Sequence, residues 1–544
     1  MRYRASGKLV RECKWLPRLK ATMRRRDVLV AAGASVWAPA PVMAQSRARV
    51  LRFVPEGDLA NPDPVWAINR ITRNHAYLIW DTLYGSTGAG VLVPQMAVGH
   101  EVSADRLTWR VTLRVGLLFH DGTPVLARDC VPSLQRWARR RGLGQKLLSQ
   151  LDEMRVLDDR RFEIRLKRPF PQLLTALADA FMMPERLART DPYTQITEYV
   201  GSGPFRFERD EWVAGARAVY ARNPGYQPSA GPADFTSGGK IVHFDRVEWI
   251  VMPDNSSAQD ALARGEVDWW QNPQVEMLPT LRETPGVEVK LNDRIGAIVL
   301  MGFNHLQPPF NNPKLLRALL PAVDQTEFMQ AAWGNEPALF RTGVGVFTPG
   351  TPMASDAGLE ILTAPRDVER ATRLVADSGY AGERVVLMSP TDYPDLQAVT
   401  QVANDLFQRV GLIVEHVGME WATLLQRRAS REPVEQGGWS AFCTTYEGLS
   451  VATPAGHLPL RGNGTDGWFG WPSSPRIEAL RDAWFDAPDP QSQRLICEAI
   501  QRAAFEEVPY VPLGQRFSPT AIRTGLQGIP KAPFPIFWGV RRSG

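Results

Sequence analysis

The residue types that most often carry catalysis or metal binding are sparse in this chain of 544 residues, and they lack the spacing that such chemistry needs. Seven histidines are scattered, with no two at ligand spacing, so we expect each to be structural. No H-E-x-x-H, G-x-S-x-G, P-loop or CxxC motif occurs. The single G-x-G-x-x-G, at 462–467, has no strand before it and no helix after it, which favours a loop over a dinucleotide site. The sequence therefore predicts a protein that is not an enzyme and has neither a metal nor a cofactor.

Four cysteines are present, and Cys13 lies in the amino-terminal leader. Cys130, Cys443 and Cys497 remain, an odd number that indicates neither a disulfide framework nor a zinc site. We expect small buried side chains, and the sequence leaves open whether any two of them form one bridge.

The leader accounts for the basic net charge of +5, because residues 1–44 hold ten Lys and Arg but only two Asp and Glu. The remaining chain is therefore mildly acidic, which gives no argument for nucleic-acid binding. Arg24–Arg26, the short apolar run from Val28 and the small residues before Gln45 are typical of a twin-arginine-like export signal, with Met23 as the expected start. The run is too short to span a bilayer and no cysteine follows it. We expect an exported, soluble periplasmic protein without a lipid anchor.

Several segments have the periodicity of regular elements. Leu107 to Val115 alternates apolar and polar residues, which predicts a strand with one solvated face, and Ala127 to Trp137 predicts a helix after a turn at Asp121–Gly122. Arg161 to Leu166 predicts a second alternating strand, and Ala297 to Asn304 a fully buried one. A strand, helix and strand between Arg384 and Val417 predict a parallel βαβ unit.

The segment from Glu101 to Trp137 resembles the signature of the family 5 extracellular solute-binding proteins, which serve dipeptide, oligopeptide, nickel and opine ATP-binding-cassette importers. Ten positions of that signature agree in order: Asp105, Leu107, Thr108, Leu113, Arg114, Phe119, Asp121, Gly122, Ala127 and Asp129. Further motifs similar to those of the family lie at 201–207, 222–226 and 308–318.

The resemblance implies an α/β, periplasmic binding protein-like fold. Two lobes are joined by a hinge with two crossovers, and the first lobe carries an accessory subdomain. On this sequence it predicts a signal peptide at 1–44, the first lobe at 45–295 with the accessory subdomain at about 70–200, the second lobe at 296–507, and a return to the first lobe at 508–544.

The resemblance also implies a ligand site rich in aromatic residues. Peptide-binding members carry a G-W-x-x-D-Y motif whose acid pairs with the peptide amino group, and here Phe442 stands in the place of that acid. A free peptide is therefore disfavoured, because a buried amine would lack its counter-ion unless Glu447 supplied the charge. Gly203 belongs either to a loop facing the ligand or to a tight turn between lobes. The predicted ligand-binding residues are Trp439, Ser440, Phe442, Tyr446, Gly438, Trp421, Asp63 and Gly203.

The resulting prediction is a periplasmic substrate-binding protein of an ABC transporter. It would capture a peptide-like or other small solute between its lobes and deliver it to an ABC permease in the inner membrane, acting as a monomer without nucleic acid. Two alternatives remain: an exported receptor for a membrane sensor, and a secreted enzyme.

Overall fold

The computed structural model describes residues 49–67 and 69–543, so the predicted signal peptide at 1–44 lies outside the described part. Numbered in chain order, the strands are β1 Val50–Val54, β2 Tyr84–Ser86, β3 Leu92–Pro94, β4 Ala97–Val102, β5 Thr108–Leu113, β6 Leu151–Val156, β7 Arg161–Leu166, β8 Phe205–Phe207, β9 Arg217–Arg222, β10 Arg246–Ile250, β11 Trp269–Trp270, β12 Val287–Lys290, β13 Ala297–Phe303, β14 Phe340–Arg341, β15 Val385–Pro390, β16 Val414–Met419, β17 Ala441–Glu447, β18 Tyr510–Arg516, β19 Thr520–Arg523, β20 Leu526–Gln527 and β21 Arg541–Arg542. The α-helices are α1 Arg70–Ile79, α2 Ala127–Arg140, α3 Gly142–Gln150, α4 Leu173–Asp179, α5 Glu185–Ala188, α6 Asn255–Ala263, α7 Leu278–Glu283, α8 Pro313–Leu319, α9 Gln325–Trp333, α10 Glu360–Thr363, α11 Val368–Asp377, α12 Pro394–Arg409, α13 Trp421–Arg427, α14 Pro475–Asp486 and α15 Pro490–Glu507.

The first lobe is built on a seven-stranded sheet of order β12-β19-β11-β1-β10-β9-β8. Strand β1 pairs in parallel with both β10 and β11, whereas the outer pairs are antiparallel. Helix α1 packs on this sheet through Ala76, Leu78 and Ile79, in one buried cluster with Phe53 and Trp249. The helix therefore belongs to the core of the first lobe. The sequence had placed residues 75–84 in this helix and had begun the accessory subdomain near residue 70; the helix instead ends at Ile79, because Trp80 adopts an extended conformation.

The accessory subdomain contains the antiparallel sheet β4-β5-β7-β6, and β5 pairs with β7 as predicted. The acidic residues of the family signature cap turns and helices here. Asp121 accepts a hydrogen bond from the Thr123 amide at 3.0 Å, and Asp129 accepts from the Leu126 amide at 2.8 Å. Signature residues in this region thus stabilise a turn and the start of α2.

The accessory subdomain also contacts the second lobe. Its buried core, from Leu83 to Met182, is contiguous with Trp484 and Ile500 of α14 and α15. Lys146 and Asp482 form an ion pair of 2.6 Å across the same boundary. The subdomain therefore bridges the lobes, although the sequence assigned it to the first lobe alone.

The second lobe is built on a six-stranded sheet of order β14-β18-β13-β17-β15-β16. The βαβ unit is confirmed, since β15 and β16 are parallel and α12 connects them. The buried strand β13 is also confirmed, and both of its neighbours, β17 and β18, run antiparallel to it.

Two crossovers join the lobes, at residues 291–296 and 517–519. They lie side by side, because the Gln515 Nε2 atom donates to the Ile295 carbonyl oxygen at 2.7 Å. A side chain at Gly296, whose φ is 57°, would place its Cβ 2.2 Å from the Arg516 carbonyl oxygen, so only glycine fits this contact. The predicted two-lobe α/β fold with two crossovers is confirmed.

The return to the first lobe occurs later than the predicted residue 508. Tyr510–Arg516 forms β18 in the second sheet, and the chain reaches the first sheet only at Thr520. The prolines of this strand resemble a linker in sequence. Pro512 is accommodated because the pairing register with β13 shifts between Val299 and Leu300, where a missing N–H can be tolerated.

Candidate functional site

The interlobe cleft lies where parallel strands of both sheets end. In the first lobe, Glu56 follows β1, and Gln271 and Asn272 follow β11. In the second lobe, Glu447 is the last residue of β17, which runs parallel to β15. The carboxyl ends of parallel strands are the usual place for ligands in open α/β sheets.

A cavity with about 590 Å³ of empty space, part of it open to solvent, occupies this cleft. It is lined by residues of both lobes and of both crossovers: Glu56, Arg70, Arg73, Trp269, Gln271, Asn272, Asn292, Asp293, Glu447, Ser518, Thr520, Pro530, Ala532, Pro533, Phe534, Pro535 and Ile536. Carboxylates, guanidiniums and side-chain amides therefore face one space.

Two ion pairs organise the charges of the cavity. Arg70 bonds Glu56 at 2.5 Å within the first lobe. Arg73 of α1 bonds both carboxylate oxygens of Glu447 at 2.6 Å, which joins the first lobe to the second. The Arg73 guanidinium also lies over the ring of Phe534, with its central carbon 4.3 Å from the ring centroid.

Two polar groups beside the first crossover retain bonding capacity. Asp293 accepts only the backbone amides of Ile295 and Gly296, at 2.8 and 2.9 Å, and burial raises the pKa of its carboxyl group. The neighbouring Asn292 has a buried Nδ2 atom without a hydrogen-bond partner among the described residues. A carboxylate without a cation and an unpaired amide donor are the groups that a polar ligand can satisfy.

The structure places Trp439, Ser440 and Phe442 inside the second lobe. All three are fully or almost fully buried, and the backbone groups of Trp439 and Ser440 bond Asn304 and Val386. Phe442 contacts the ring of Trp439 at 5.2 Å and that of Trp468 at 5.7 Å. Gly438 is buried against the Glu432 carbonyl oxygen, where a Cβ would lie at 1.8 Å.

Tyr446 and Trp421 lie closer to the cleft edge. Tyr446 directly precedes Glu447 on β17 and packs edge-on against Trp468 at 5.4 Å. Burial raises the pKa of Tyr446 to about 12. Trp421 begins α13 and lies 5.4 Å from the ring of Tyr393. The structure thus brings Phe442, Tyr446 and Trp439 into one aromatic group with Trp468, and Trp421 stands apart at a neighbouring strand end.

Asp63 and Gly203 lie in contacts that hold the first lobe together. Asp63 pairs with Arg136 at 2.7 Å, each side chain being 1% exposed, and it also accepts the Val65 amide. Gly203 packs on the end of α1, where a Cβ would lie 2.7 Å from the Leu78 carbonyl oxygen. Neither residue lines the interlobe cavity.

Sequence reasoning did not select Glu56, Arg70, Arg73 or Asp293. The signal for Glu56 is its position directly after a strand that is parallel to its neighbours. Arg73 carries no comparable signal, since its partner Glu447 is 374 positions away.

The described residues contain no group of three or more His, Cys, Asp or Glu side chains that could hold a metal ion. In the same part of the chain, no helix combines the length and apolar character of a membrane span. Cys130, Cys443 and Cys497 are separate buried thiols.

Comparison with known proteins identifies the family. Residues 91–449 match the family model described as bacterial extracellular solute-binding proteins, family 5 Middle. The chain is 35% identical, over 96% of its length and 100% of the relative, to the "Probable peptide ABC transporter periplasmic-binding protein y4tO" of Sinorhizobium fredii (strain NBRC 101917 / NGR234). It is 24% identical, over 83% of its length and 86% of the relative, to the glutathione-binding protein GsiB of Escherichia coli (strain K12).

Two solved structures share the fold. DppA of Helicobacter pylori in complex with the peptide STSA superimposes with a TM-score of 0.75 at 19% identity, covering 92% of this chain and 100% of that one. The binding protein AgaA of A. tumefaciens R10, in complex with agropinic acid, gives a TM-score of 0.73 at 20% identity, covering 91% and 99%. The chain belongs to the family 5 bacterial extracellular solute-binding proteins, a family of binding proteins and not of enzymes.

Proposed function

We propose that this protein captures a peptide or a peptide-like solute between its lobes in the periplasm and delivers it, as a monomer, to an ABC permease in the inner membrane. The observation that carries the proposal is the interlobe cavity, where carboxylates and guanidiniums from both lobes face one space. The relative y4tO, described as a peptide-binding component of an ABC transporter, supports the same assignment.

The charge pattern of the cavity fits a solute that bears both an amine and an acid. Glu56, Asp293 and Glu447 offer carboxylates, and Arg70 and Arg73 offer guanidiniums. A charged group leaves water at little net cost only when it meets a counter-ion and hydrogen bonds. A zwitterionic peptide meets both requirements here.

The absence of an acid at position 442 does not leave the cleft without one. Phe442 points into the aromatic group of the second lobe, and Gly302 on β13 makes room for its ring, since a Cβ there would lie 3.2 Å from Phe442 Cε1. The carboxylate of β17 that reaches the cleft is Glu447. The sequence argument against a free peptide amine is therefore answered by the residue that it had named as the exception.

A thermal-shift screen tests the proposal. The mature protein is melted with free di- and tripeptides, the same peptides acetylated at the amino group, glutathione, opines and nickel chelates. A ligand present at about 100 times its Kd stabilises the folded state by about 2.7 kcal/mol, so binding gives a measurable rise in Tm. We expect free peptides to raise Tm more than their acetylated forms.

The control for ligand contact is the variant Asp293→Asn, which removes a carboxylate charge from the cavity but preserves the side-chain shape. We expect it to weaken binding of the free peptide more than binding of the acetylated form. No stabilisation by any free peptide, or turnover of a compound by the pure protein, would contradict the proposed function. Stabilisation combined with peptide uptake that depends on the protein in cells separates an importer component from a receptor for a membrane sensor.

A further inference from the structure

Arg428 sits in an aromatic surround at the end of α13. Its guanidinium carbon lies 4.2 Å from the ring centroid of Phe469, 5.6 Å from that of Phe442 and 5.7 Å from that of Trp468. Stacking of this kind holds the planar group in one orientation. The side chain is therefore positioned before any ligand arrives.

The charge of Arg428 has no counter-ion in the described chain. Among residues 49–67 and 69–543, no carboxylate lies within 4.0 Å of its guanidinium, and its Nε atom is buried without a hydrogen-bond partner. Burial lowers the pKa of Arg428 to about 10, so the group remains cationic at neutral pH. The buried Arg136 and the half-buried Arg73 are, by contrast, both paired with acids.

An unpaired, partly desolvated guanidinium is costly to the folded state. The cation–π contacts recover only part of the lost hydration, because ring faces supply no hydrogen-bond acceptors in the plane of the guanidinium. The in-plane N–H groups need oxygen acceptors. An oxyanion from outside the chain fits this requirement.

The rings around Arg428 lead toward the interlobe cleft. Phe442 and Tyr446 are four residues apart on β17, so their side chains share one face of the sheet. Trp468 contacts both rings, at 5.7 and 5.4 Å. Tyr446 in turn precedes Glu447, which lines the cleft cavity.

A second cavity, with about 830 Å³ of empty space that includes open solvent, adjoins the same rings. Trp468, Phe469 and Trp471 line it together with Arg431, Arg461 and the exposed Asp466. Arg461 lies 3.8 Å from Glu478, and Arg431 donates to the Thr465 carbonyl oxygen at 2.8 Å. Asp466 would oppose an anion at the cavity mouth, so the side of the rings that carries Arg428 is the favourable position for one.

We propose that Arg428 is a specificity-determining residue that binds a carboxylate of the solute, with Phe469, Trp468 and Phe442 as flat apolar walls. This inference rests on the proposed function, since it assigns one end of the same solute. A guanidinium bonds a carboxylate through two parallel N–H donors, which a terminal amide cannot match. The solute class is therefore a peptide or peptide-like acid with a free carboxylate.

The test compares matched probes that differ only in this group. Binding of Ala-Phe and of its carboxyl-terminal amide is measured by calorimetry on the wild type, on Arg428→Met and on Arg428→Lys. We expect the wild type to prefer the free acid and Arg428→Met to weaken acid binding by about 10- to 100-fold, the usual effect of one charge-assisted hydrogen-bonded contact, with little change for the amide. Arg428→Lys, which keeps the charge but not the fork of donors, should fall between them.

The matched control is Arg431→Met, because this exposed arginine also lies over a tryptophan, 5.4 Å from the ring of Trp471. It should leave the preference for the acid intact. Equal binding of acid and amide by the wild type, or unchanged acid binding by Arg428→Met, would overturn the inference while the proposed function stands.

Benzoate and benzamide extend the test to probes without a peptide backbone. If no peptide binds, the proposed function fails, whereas a Tm rise with benzoate that is absent with benzamide and lost in Arg428→Met still supports the carboxylate site. If benzoate and benzamide give the same Tm in wild type and variant, the site is refuted as well.

Discussion

Charged residues in this protein divide into pairs that hold a lobe together and groups that face the cleft. Asp63 and Arg136 belong to the first kind, with side chains only 1% exposed and additional bonds to backbone groups. Asp293 and Arg428 belong to the second, since neither has an ion-pair partner among the described residues. A buried pair satisfied on all sides has no capacity left for a solute, so the unsatisfied charges mark the binding surface.

Two fully buried histidines should make the protein sensitive to acid. Burial lowers the pKa of His75 and of His457 to about 3. In the unfolded chain a histidine takes up its proton near pH 6.5, so stability is complete above that pH and is lost as the pH falls from about 6.5 toward 3. Each residue should cost about 2 kcal/mol of unfolding free energy between pH 7 and pH 5.

The variant His75→Phe tests this expectation. Its unfolding free energy, measured in urea at pH 7 and pH 5, should show a pH-dependent loss smaller by about 2 kcal/mol than that of the wild type. The difference between the two pH values is the readout, because loss of the 3.0 Å contact between His75 Nδ1 and the Tyr220 hydroxyl affects stability at both. The exposed His243→Phe controls for removal of a histidine as such, and an unchanged pH difference in His75→Phe would disprove the assignment.

At the scale of elements, the loop around Gly201 is fitted closely to the end of α1. A Cβ on Gly201 would lie 2.0 Å from the Ile79 carbonyl oxygen, and the Gly203 amide donates to that same oxygen at 2.8 Å. His120 bonds the backbone of Gly201 on its other side. The loop that the sequence left open between a ligand contact and a tight turn thus connects a helix end to the accessory subdomain.

Replacement of Gly201 by alanine should therefore destabilise the protein. The new Cβ meets backbone, which cannot move without displacing α1, so we expect a loss of about 1–3 kcal/mol or more. Gly99→Ala is the matched control, since nothing lies within 4 Å of a Cβ at that position. Urea midpoints distinguish the two variants, and equal stability of both would show that the loop can relax.

At the scale of the whole molecule, contacts between the lobes hold the cleft closed. Arg73 and Glu447 form a bidentate pair beside the cavity, and Arg282 of α7 bonds Glu336 after α9 at 2.5 Å. The accessory subdomain adds the contact of Lys146 with Asp482. A binding protein of this kind selects the closed state through such contacts together with those of its solute.

Glu447→Gln should shift the ligand-free protein toward the open state. The change removes the charge of the half-buried carboxylate, with an expected cost of about 1 kcal/mol to closure. Small-angle X-ray scattering of the ligand-free variant should give a larger radius of gyration than that of the wild type. Asp482→Asn serves as control, because Asp482 is 68% exposed and its pair should contribute little. Identical scattering of wild type and Glu447→Gln would show that this pair does not hold the lobes.

The sequence by itself determined the elements whose signals are local. The alternating residues of β5 and β7, the buried run of β13 and the β15-α12-β16 unit could all be predicted, since each depends on side-chain periodicity over a short segment. The family signature also follows from local contacts, because Asp121 and Asp129 bond amides two or three residues away.

Only the tertiary structure decided which residues face the solute. Periodicity states that a side chain is covered but not what covers it, so Trp439 and Phe442 could not be distinguished from cleft residues, and Asp63 could not be distinguished from a free acid. Membership of β18 in the second sheet required its pairing with β13, more than 200 positions earlier, as the 220-residue separation of Gln515 and Ile295 shows. The cleft itself forms from Glu56, Arg73 and Glu447, which are distant in sequence and meet only when the two sheets oppose their strand ends.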